Sequence, residues 1–262
     1  MFTVYHFIWL AICLLFCGIA LWQLKKHKPA LKKVLSWACI GCILSETVKT
    51  LSVLEMVPSA DGTSMHLYLE MQHLPLHLCS IQILFIFYSR FAKESKAKEI
   101  LLAFMYPSCT LGAFFAILLP SIFSTSIEPY QAFTHPLAYQ FFLYHAMLVV
   151  LGLYIAMSGE VKIRGKHYFY SLGILGVLAF ISLYLNSMFA VPTYVNGELM
   201  SVEYSTNFFF TQNTPIGIEL YTKGEWFLYM AIILTLALVL IGLFYLPFIL
   251  KERKNEKSAN TL

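Results

Sequence analysis

The sequence has little charge. Asp, Glu, Lys and Arg make up 12% of the 262 residues, about half the share found in an average soluble protein. Hydrophobic residues make up 59%, which excludes an intrinsically disordered chain and argues against a water-soluble globule. Segments of about 10 residues with alternating polarity, typical of a transmembrane β-barrel, are also missing. The composition therefore predicts an all-α, polytopic membrane helix bundle.

Seven apolar segments are long enough for a helix to cross about 30 Å of hydrocarbon at 1.5 Å per residue. Lipid offers the backbone no hydrogen-bond partner, so each segment is predicted to be helical. The predicted spans are about 4–24, 34–57, 74–92, 99–119, 137–157, 168–190 and 226–250. We therefore expect a single bundle of seven transmembrane helices over residues 1–262.

The distribution of basic residues predicts how the bundle is oriented. Of the 18 Lys and Arg residues, all but Lys49 and Lys223 lie in the first, third and fifth connections or in the C-terminal tail. The even-numbered connections carry acidic residues instead: Asp61, Glu70, Glu128, Glu198, Glu203, Glu219 and Glu225. This alternation predicts an outer N-terminus and a cytoplasmic C-terminus in a multi-pass protein of the cell membrane. The basic excess is then a positive-inside bias, so membrane lipids are expected as partners, whereas nucleic acid and soluble proteins are not.

Cysteine is absent from the predicted outer connections. All six cysteines lie inside predicted spans, so no disulfide framework is expected.

One outer connection, 191–225, is longer than most loops, and such loops are usually functional or disordered. It is rich in aromatic and amide residues, and Phe208, Phe209 and Phe210 would be poor choices for a solvated linker. We expect this segment to fold back over the outer face of the bundle as a lid. The alternative is an interfacial segment that lies on the lipid headgroups, where aromatic residues are favourable.

Titratable groups within the spans indicate a functional site, because charge is costly in hydrocarbon. In the second span Glu46 and Lys49 are three residues apart on one helical face and are predicted to form an ion pair. That pair either fixes helix packing or binds substrate. In the third span His73 and His77 are four residues apart, and Ser80 follows three later. A continuous helix would place these three side chains on one face.

Polar residues of the fifth and sixth spans lie at a similar depth. His145 is about eight residues into the fifth span, which also contains Gln140, and Asn186 is near the outer end of the sixth. Together with Asn207 of the long loop, these residues predict a polar pocket in the outer half of the bundle. Spans two, three, five and six would line it, and residues 191–225 would cover it.

Several short motifs occur in a fixed order: LPLHLC around 75–79, QFFLYH at 140–145, and NFFFTQNTP followed by GEWFLY within 207–229. In order and spacing, over about 70–250, the chain resembles the YwaF-like integral membrane proteins of bacteria. It departs from that family at Glu225, where the family tends to have Pro. It is also distantly similar to eukaryotic multi-pass proteins that move or hydrolyse fatty-acyl groups, namely an ether-phospholipid acyltransferase group and the androgen-induced hydrolases of fatty-acid esters.

This distant similarity implies that His145 corresponds to the histidine of the hydrolases. It also implies that His77 corresponds to the histidine in the Pro-Cys-His-Leu motif of the acyltransferases. Leu76 stands where that motif has its cysteine, so a cysteine acyl-enzyme is not implied.

Lipid-acyl chemistry is accordingly the first hypothesis. His145 and His77 would be catalytic, with His145 as the general base, and Ser80, Thr47 or a water molecule would be the nucleophile. Glu46, Lys49, Ser80, Gln140, Asn186 and Asn207 would bind the substrate, and no cofactor is expected. The alternatives are non-catalytic binding of a lipid or small amphiphile, a zinc site built from His73, His77, His145 and Glu46, and a channel or transporter.

Overall fold

The computed structural model of the chain describes residues 2–195, 198–215 and 217–259. The α-helices are α1 Val4–His27, α2 Leu31–Val53, α3 Leu78–Phe91, α4 Lys96–Leu118, α5 Ile122–Thr125, α6 Pro136–Met157, α7 Lys166–Met188 and α8 Lys223–Ala259. Two antiparallel hairpins pair β1 Glu55–Pro58 with β2 Met65–Tyr68, and β3 Ala190–Val195 with β4 Glu198–Tyr204. Short 3₁₀ turns occupy Met71–His73, Pro129–Gln131 and Phe208–Phe210.

Six helices in the described part of the chain are long and apolar enough to cross a membrane: α1, α2, α4, α6, α7 and α8. The apolar helix α3 has 14 residues, which at 1.5 Å each is about 21 Å and falls short of a 30 Å hydrocarbon layer. The protein is therefore a multi-pass helical bundle, as its composition predicts. The count of seven spans and the outer N-terminus remain predictions.

The third predicted span, 74–92, is the one that differs most from the structure. Residues 74–77 precede the helix, because Pro75 has no backbone N–H and holds Leu74 in an extended conformation. His77 is the extended N-cap of α3, and His73 lies in the preceding 3₁₀ turn. The prediction that His73, His77 and Ser80 share one helical face is therefore wrong.

The second predicted span, 34–57, ends too late. Helix α2 ends at Val53, and only Leu54 separates it from β1. The paired strands β1 and β2 continue the chain beyond the end of the helix.

Helices α4 and α6 form the centre of the bundle, because more than half of the residues in the apolar stretch of each are buried, whereas few residues of α1, α7 and α8 are. Helices α4 and α6 pack closely together because Gly152 of α6 faces the backbone of α4.

Polar side chains in this region bond to neighbouring helices. Gln82 of α3, which is fully buried, donates to Ser108 Oγ (3.0 Å) and accepts from Cys109 Sγ (3.2 Å). All six cysteines are free thiols.

A methyl group at Gly152 tests this close approach. A Cβ atom there would lie 2.9 Å from both Thr110 N and Tyr106 O, and would also clash with Thr110 Oγ1. Two of these atoms are backbone and cannot rotate away, so Gly152→Ala is expected to lower the stability of the detergent-purified protein by about 1–3 kcal/mol. Thermal unfolding gives the measurement.

The matched control for this substitution is Gly173→Ala in α7, where a Cβ atom meets nothing within 4 Å. That variant is expected to unfold at or slightly above the parent temperature, because Ala is the better helix former. Equal unfolding temperatures for both variants would contradict the close α4–α6 contact.

Candidate functional site

The predicted site residues of α2, α3 and α6 lie at one end of the bundle. Two interhelical hydrogen bonds hold these elements together there. Gln140 Nε2 donates to Ser45 Oγ (2.7 Å), which joins α6 to α2. The Tyr144 hydroxyl donates to the carbonyl of Cys79 (2.9 Å), which joins α6 to the first turn of α3. The second bond gives the Tyr144 hydroxyl a partner inside the bundle, on a carbonyl in the first turn of this short helix.

The ion pair predicted within α2 is present. Lys49 Nζ lies 2.6 Å from Glu46 Oε1, and the two side chains are 14% and 33% exposed. The pair is thus only partly shielded, and its net charge is close to zero.

His145 is held in one tautomer by its own helix. Its Nδ1 lies 2.6 Å from the carbonyl oxygen of Phe141. A carbonyl only accepts, so Nδ1 carries the hydrogen of the neutral ring and Nε2 has the free lone pair. Nε2 has no hydrogen-bond partner in the described part of the chain. It is also not sealed inside the protein, since His6 Nδ1 is the single buried and unpaired side-chain N or O among the described residues.

The position of His77 follows from the extended chain just before α3. Its ring packs edge-on against Phe208, with centroids 4.9 Å apart and planes at 73°. It lies within electrostatic range of both Lys49 and His145. The break in helical structure before residue 78, which helical spacing does not predict, therefore places one imidazole within electrostatic range of the ammonium group of α2 and the imidazole of α6.

The two hydroxyl groups predicted as nucleophiles differ in position. Ser80 is half-buried in the first turn of α3, and among the described residues it has no hydrogen-bond partner. Thr47 lies on the exposed side of α2, away from Glu46 and Lys49. Ser80 is therefore the better placed of the two.

Asn186 has a different role from the predicted one. Its side chain is fully buried, and its Oδ1 accepts from Thr206 Oγ1 (3.0 Å) and the Phe208 amide (2.9 Å). Its Nδ2 donates to the Phe208 carbonyl (3.1 Å) and to Thr211 Oγ1 (2.8 Å). All four hydrogen-bonding positions of the amide are occupied. Asn186 has no capacity left for a substrate, so it anchors the loop that follows α7.

Asn207 is likewise used within this loop. Its Oδ1 accepts from the amides of Gln212 (3.0 Å) and Asn213 (3.2 Å), and its Nδ2 donates to the Asn213 carbonyl (2.8 Å). These bonds close a compact turn over 205–213, which we call the anchored turn. Phe209 and Phe210 have positive φ angles of 58° and 53°, an unfavourable backbone that the surrounding bonds must hold in place.

The N-terminal end of α8 also forms hydrogen bonds with the anchored turn. Trp226 Nε1 donates to the Thr211 carbonyl (2.9 Å), and the Tyr229 hydroxyl donates to the Phe210 carbonyl (2.7 Å). Both aromatic residues belong to the GEWFLY motif, which the sequence analysis noted without assigning them a role. Phe208, fully buried, is thereby pressed against His77.

The remainder of the predicted lid is arranged differently. Strands β3 and β4 form a hairpin whose side chains are exposed, apart from that of Ala190. Residues 196–197 and 216 lie outside the described part of the chain. Contact with the predicted pocket therefore comes from the anchored turn, which is a small part of 191–225.

Convergence of metal ligands is not observed. Among the residues that the structure describes, no three His, Cys, Asp or Glu side chains lie close enough to hold a metal ion. His73 Nε2 lies 3.8 Å from Glu70 Oε2. Burial disfavours the charged ring and lowers the pKa of His73, and the nearby Glu70 carboxylate only partly offsets this effect. The structure thus gives no support to a zinc site at His73, His77, His145 and Glu46.

A comparison with protein-family models decides the relationship. The model of the TMEM164 family matches residues 1–245. The chain belongs to the TMEM164 family. No curated protein and no solved structure matches it. The match assigns the chain to a family of multi-pass membrane proteins. It does not extend to the YwaF-like or the acyltransferase resemblance.

Loss of the Asn186 amide is expected to release the anchored turn of this TMEM164-family protein. Asn186→Ala leaves the buried Phe208 amide unpaired, at about 1–3 kcal/mol, and leaves the Phe208 carbonyl only the longer bonds from Thr211 (3.3 and 3.5 Å). Hydrogen exchange of the Phe208 amide should accelerate, and proteolysis within 205–213 should increase.

Ser182→Ala provides the control, because Ser182 is also buried in α7 but bonds only to the Ala179 carbonyl of its own helix. Its exchange pattern should match that of the parent. Unchanged Phe208 exchange in Asn186→Ala would show that the turn is held by other contacts.

Proposed function

We propose that this protein acts on an acyl group of a membrane lipid, by acyl transfer or ester hydrolysis, with His145 as the general base. The observation that carries the proposal is the Nδ1–H···O=C bond to Phe141 (2.6 Å). This bond orients the ring and leaves Nε2 free to take a proton, which is the arrangement a histidine base requires.

The proposed chemistry is a general-base-catalysed attack of a hydroxyl group on the ester of a lipid. The hydroxyl of Ser80 or of a water molecule gives its proton to His145 Nε2 as its oxygen bonds to the ester carbonyl carbon. The carbonyl oxygen becomes an oxyanion, which the Lys49 ammonium stabilises. As the intermediate collapses, the ester C–O bond breaks and the imidazolium returns the proton to the departing alcohol. If Ser80 is the acyl carrier, a second alcohol or water repeats the sequence and releases it.

The surroundings suit a lipid substrate. The site lies at one end of the bundle between helices with lipid-facing surfaces, so an ester just below the headgroups can enter from the side. His77 positions the substrate from the N-cap of α3, and the side-chain oxygen Oε1 of Gln140 accepts no hydrogen bond from the described residues. The same chemistry is implied by the resemblance to acyl-transferring and ester-hydrolysing membrane proteins. We place the protein in the cell membrane, with membrane lipids as its partners.

Replacement of His145 tests the base directly. In the purified protein reconstituted with phosphatidylcholine, release or transfer of a fatty-acyl chain is followed by mass spectrometry. His145→Ala is expected to lower turnover by about 10²- to 10⁴-fold, the usual contribution of a positioned base. His66→Ala removes an exposed histidine of β2 and is expected to keep full turnover.

The outcome also separates catalysis from binding. If neither the parent nor His145→Ala releases acyl groups, but the parent co-purifies with a lipid that the variant lacks, the site is a lipid-binding site. Equal turnover by the parent and by folded His145→Ala would contradict the assignment of the base.

Substitutions in the Glu46–Lys49 ion pair distinguish a structural from a catalytic role for Lys49. Lys49→Gln leaves the Glu46 carboxylate without its partner and should destabilise the protein. The loss should be smaller than the roughly 3–5 kcal/mol of a fully buried pair, because the Glu46 side chain is 33% exposed. The double variant Glu46→Gln/Lys49→Gln should regain most of the thermal stability and stay inactive if Lys49 stabilises the oxyanion. Recovery of both stability and acyl turnover would make the pair purely structural.

A further inference from the structure

Each of the two β-hairpins directly follows a membrane-length helix. Leu54 alone separates α2 from β1, and Phe189 alone separates α7 from β3. The strands therefore begin where these two helices end, and the Phe189 carbonyl accepts a hydrogen bond from the Ser205 hydroxyl (2.5 Å) at the base of the second hairpin. Both hairpins occur at the end of the bundle that carries His77 and the anchored turn.

The second hairpin has one face without charged side chains, whose polar groups are the hydroxyls of two tyrosines. The register pairs Ala190 with Tyr204, Pro192 with Val202 and Tyr194 with Leu199, and directly paired residues of an antiparallel ladder point to the same side. Every polar side chain of the described strands other than the two tyrosines lies on the opposite face, which carries Thr193, Ser201, Glu198 and Glu203 with Val191 and Val195. Met200 is at the bulge.

The first hairpin repeats this arrangement. Met56 pairs with Leu67, and Pro58 pairs with Met65, which gives one wholly apolar face. Glu55, Val57, His66 and Tyr68 form the other face. The apolar face is also highly exposed: Met56 is 55%, Met65 54% and Leu67 68% accessible. Two unrelated stretches of sequence thus encode the same amphipathic hairpin at equivalent places.

A two-stranded hairpin is at best marginally stable in water, and an exposed apolar face needs a cover. We infer that the apolar faces of both hairpins lie flat on the lipid surface at this end of the bundle. The lipid surface is the occupant favoured by position, since one residue connects each hairpin to a helix that ends there. Tyr194 and Tyr204 on the apolar face also suit an interface, where tyrosine places its ring at headgroup level.

Charge fixes the orientation of the hairpins on the lipid. Glu198 and Glu203 point away from the apolar face of the second hairpin. At the tip of the first, the Asp61 carboxylate accepts from Ser59 Oγ, Thr63 N and Thr63 Oγ1. These bonds, the one from Ser59 foremost, lower the pKa of Asp61 to about 2, so the tip stays charged in neutral buffer. A charged tip opposes insertion end-on, and the exposed apolar face opposes a hairpin that projects into water, so the hairpin is expected to lie along the surface.

Labelling of each face tests the orientation in the full-length protein. Single cysteines are placed on the apolar faces, Leu67→Cys and Leu199→Cys, and on the opposite faces, His66→Cys and Ser201→Cys. Each variant carries an environment-sensitive NBD dye in nanodiscs of phosphatidylcholine, with the labelled parent as background for the native thiols. All four positions are exposed, so the substitutions leave the bundle core intact, which size-exclusion chromatography verifies.

The expected result is a blue-shifted emission from the dyes at 67 and 199, with loss of intensity when part of the lipid carries a shallow doxyl group. The dyes at 66 and 201 should emit as in water and resist the quencher. Equal quenching on both faces would overturn the inference. A blue shift at 67 and 199 without quenching by doxyl lipid would also overturn it, because the hairpins would then cover protein, either the site itself or a second copy.

Discussion

A polar group that faces hydrocarbon finds no hydrogen-bond partner there, so the backbone and amide groups of this bundle are paired largely inside the protein. This constraint is most severe where α3 begins, since Pro75 ends regular hydrogen bonding there and the helix is only 14 residues long. The Tyr144 hydroxyl of α6 bonds to the carbonyl of Cys79, and the Gln82 amide is satisfied by Ser108 and Cys109 of α4. The short helix is therefore secured by polar side chains as well as by packing.

The same interruption creates the candidate site. In a continuous third helix, the backbone of His77 would form the regular helical hydrogen bonds, and helical geometry would set the direction of its imidazole ring. Because His77 is an extended N-cap, its ring instead packs on Phe208 and lies within electrostatic range of Lys49 and His145. Asn186 supports this arrangement from α7 by holding both the amide and the carbonyl of Phe208. Site and loop thus depend on one another through a single phenylalanine.

Local spacing explains which parts of this arrangement the sequence could predict. The six membrane-length helices follow from apolar length, although the same criterion also predicts a seventh at α3, and the Glu46–Lys49 pair follows from a separation of three residues within one helix. The prediction that His73 and His77 share a helical face is wrong, because helical spacing does not hold across Pro75. Proline holds Leu74 in an extended conformation, which outweighs the apolar pattern. The depth of Asn186, which matches that of His145, predicts a substrate-binding role for its side chain. Its actual partners are some 20 residues further along the chain, and no periodic pattern encodes such long-range bonds.

The hairpins and the site are mechanically connected by very short segments. One residue joins β1 to the helix that carries Lys49, and one residue joins β3 to the helix that carries Asn186. A hairpin that lies flat on lipid therefore fixes the depth at which each of these helices ends, and with it the height of Lys49 and of the anchored turn. An ester linkage of a phospholipid lies just below the headgroups. Hairpins that rest at the headgroup level would thus keep the imidazoles and the ammonium group in register with that linkage, which a bundle free to slide along the bilayer normal would not.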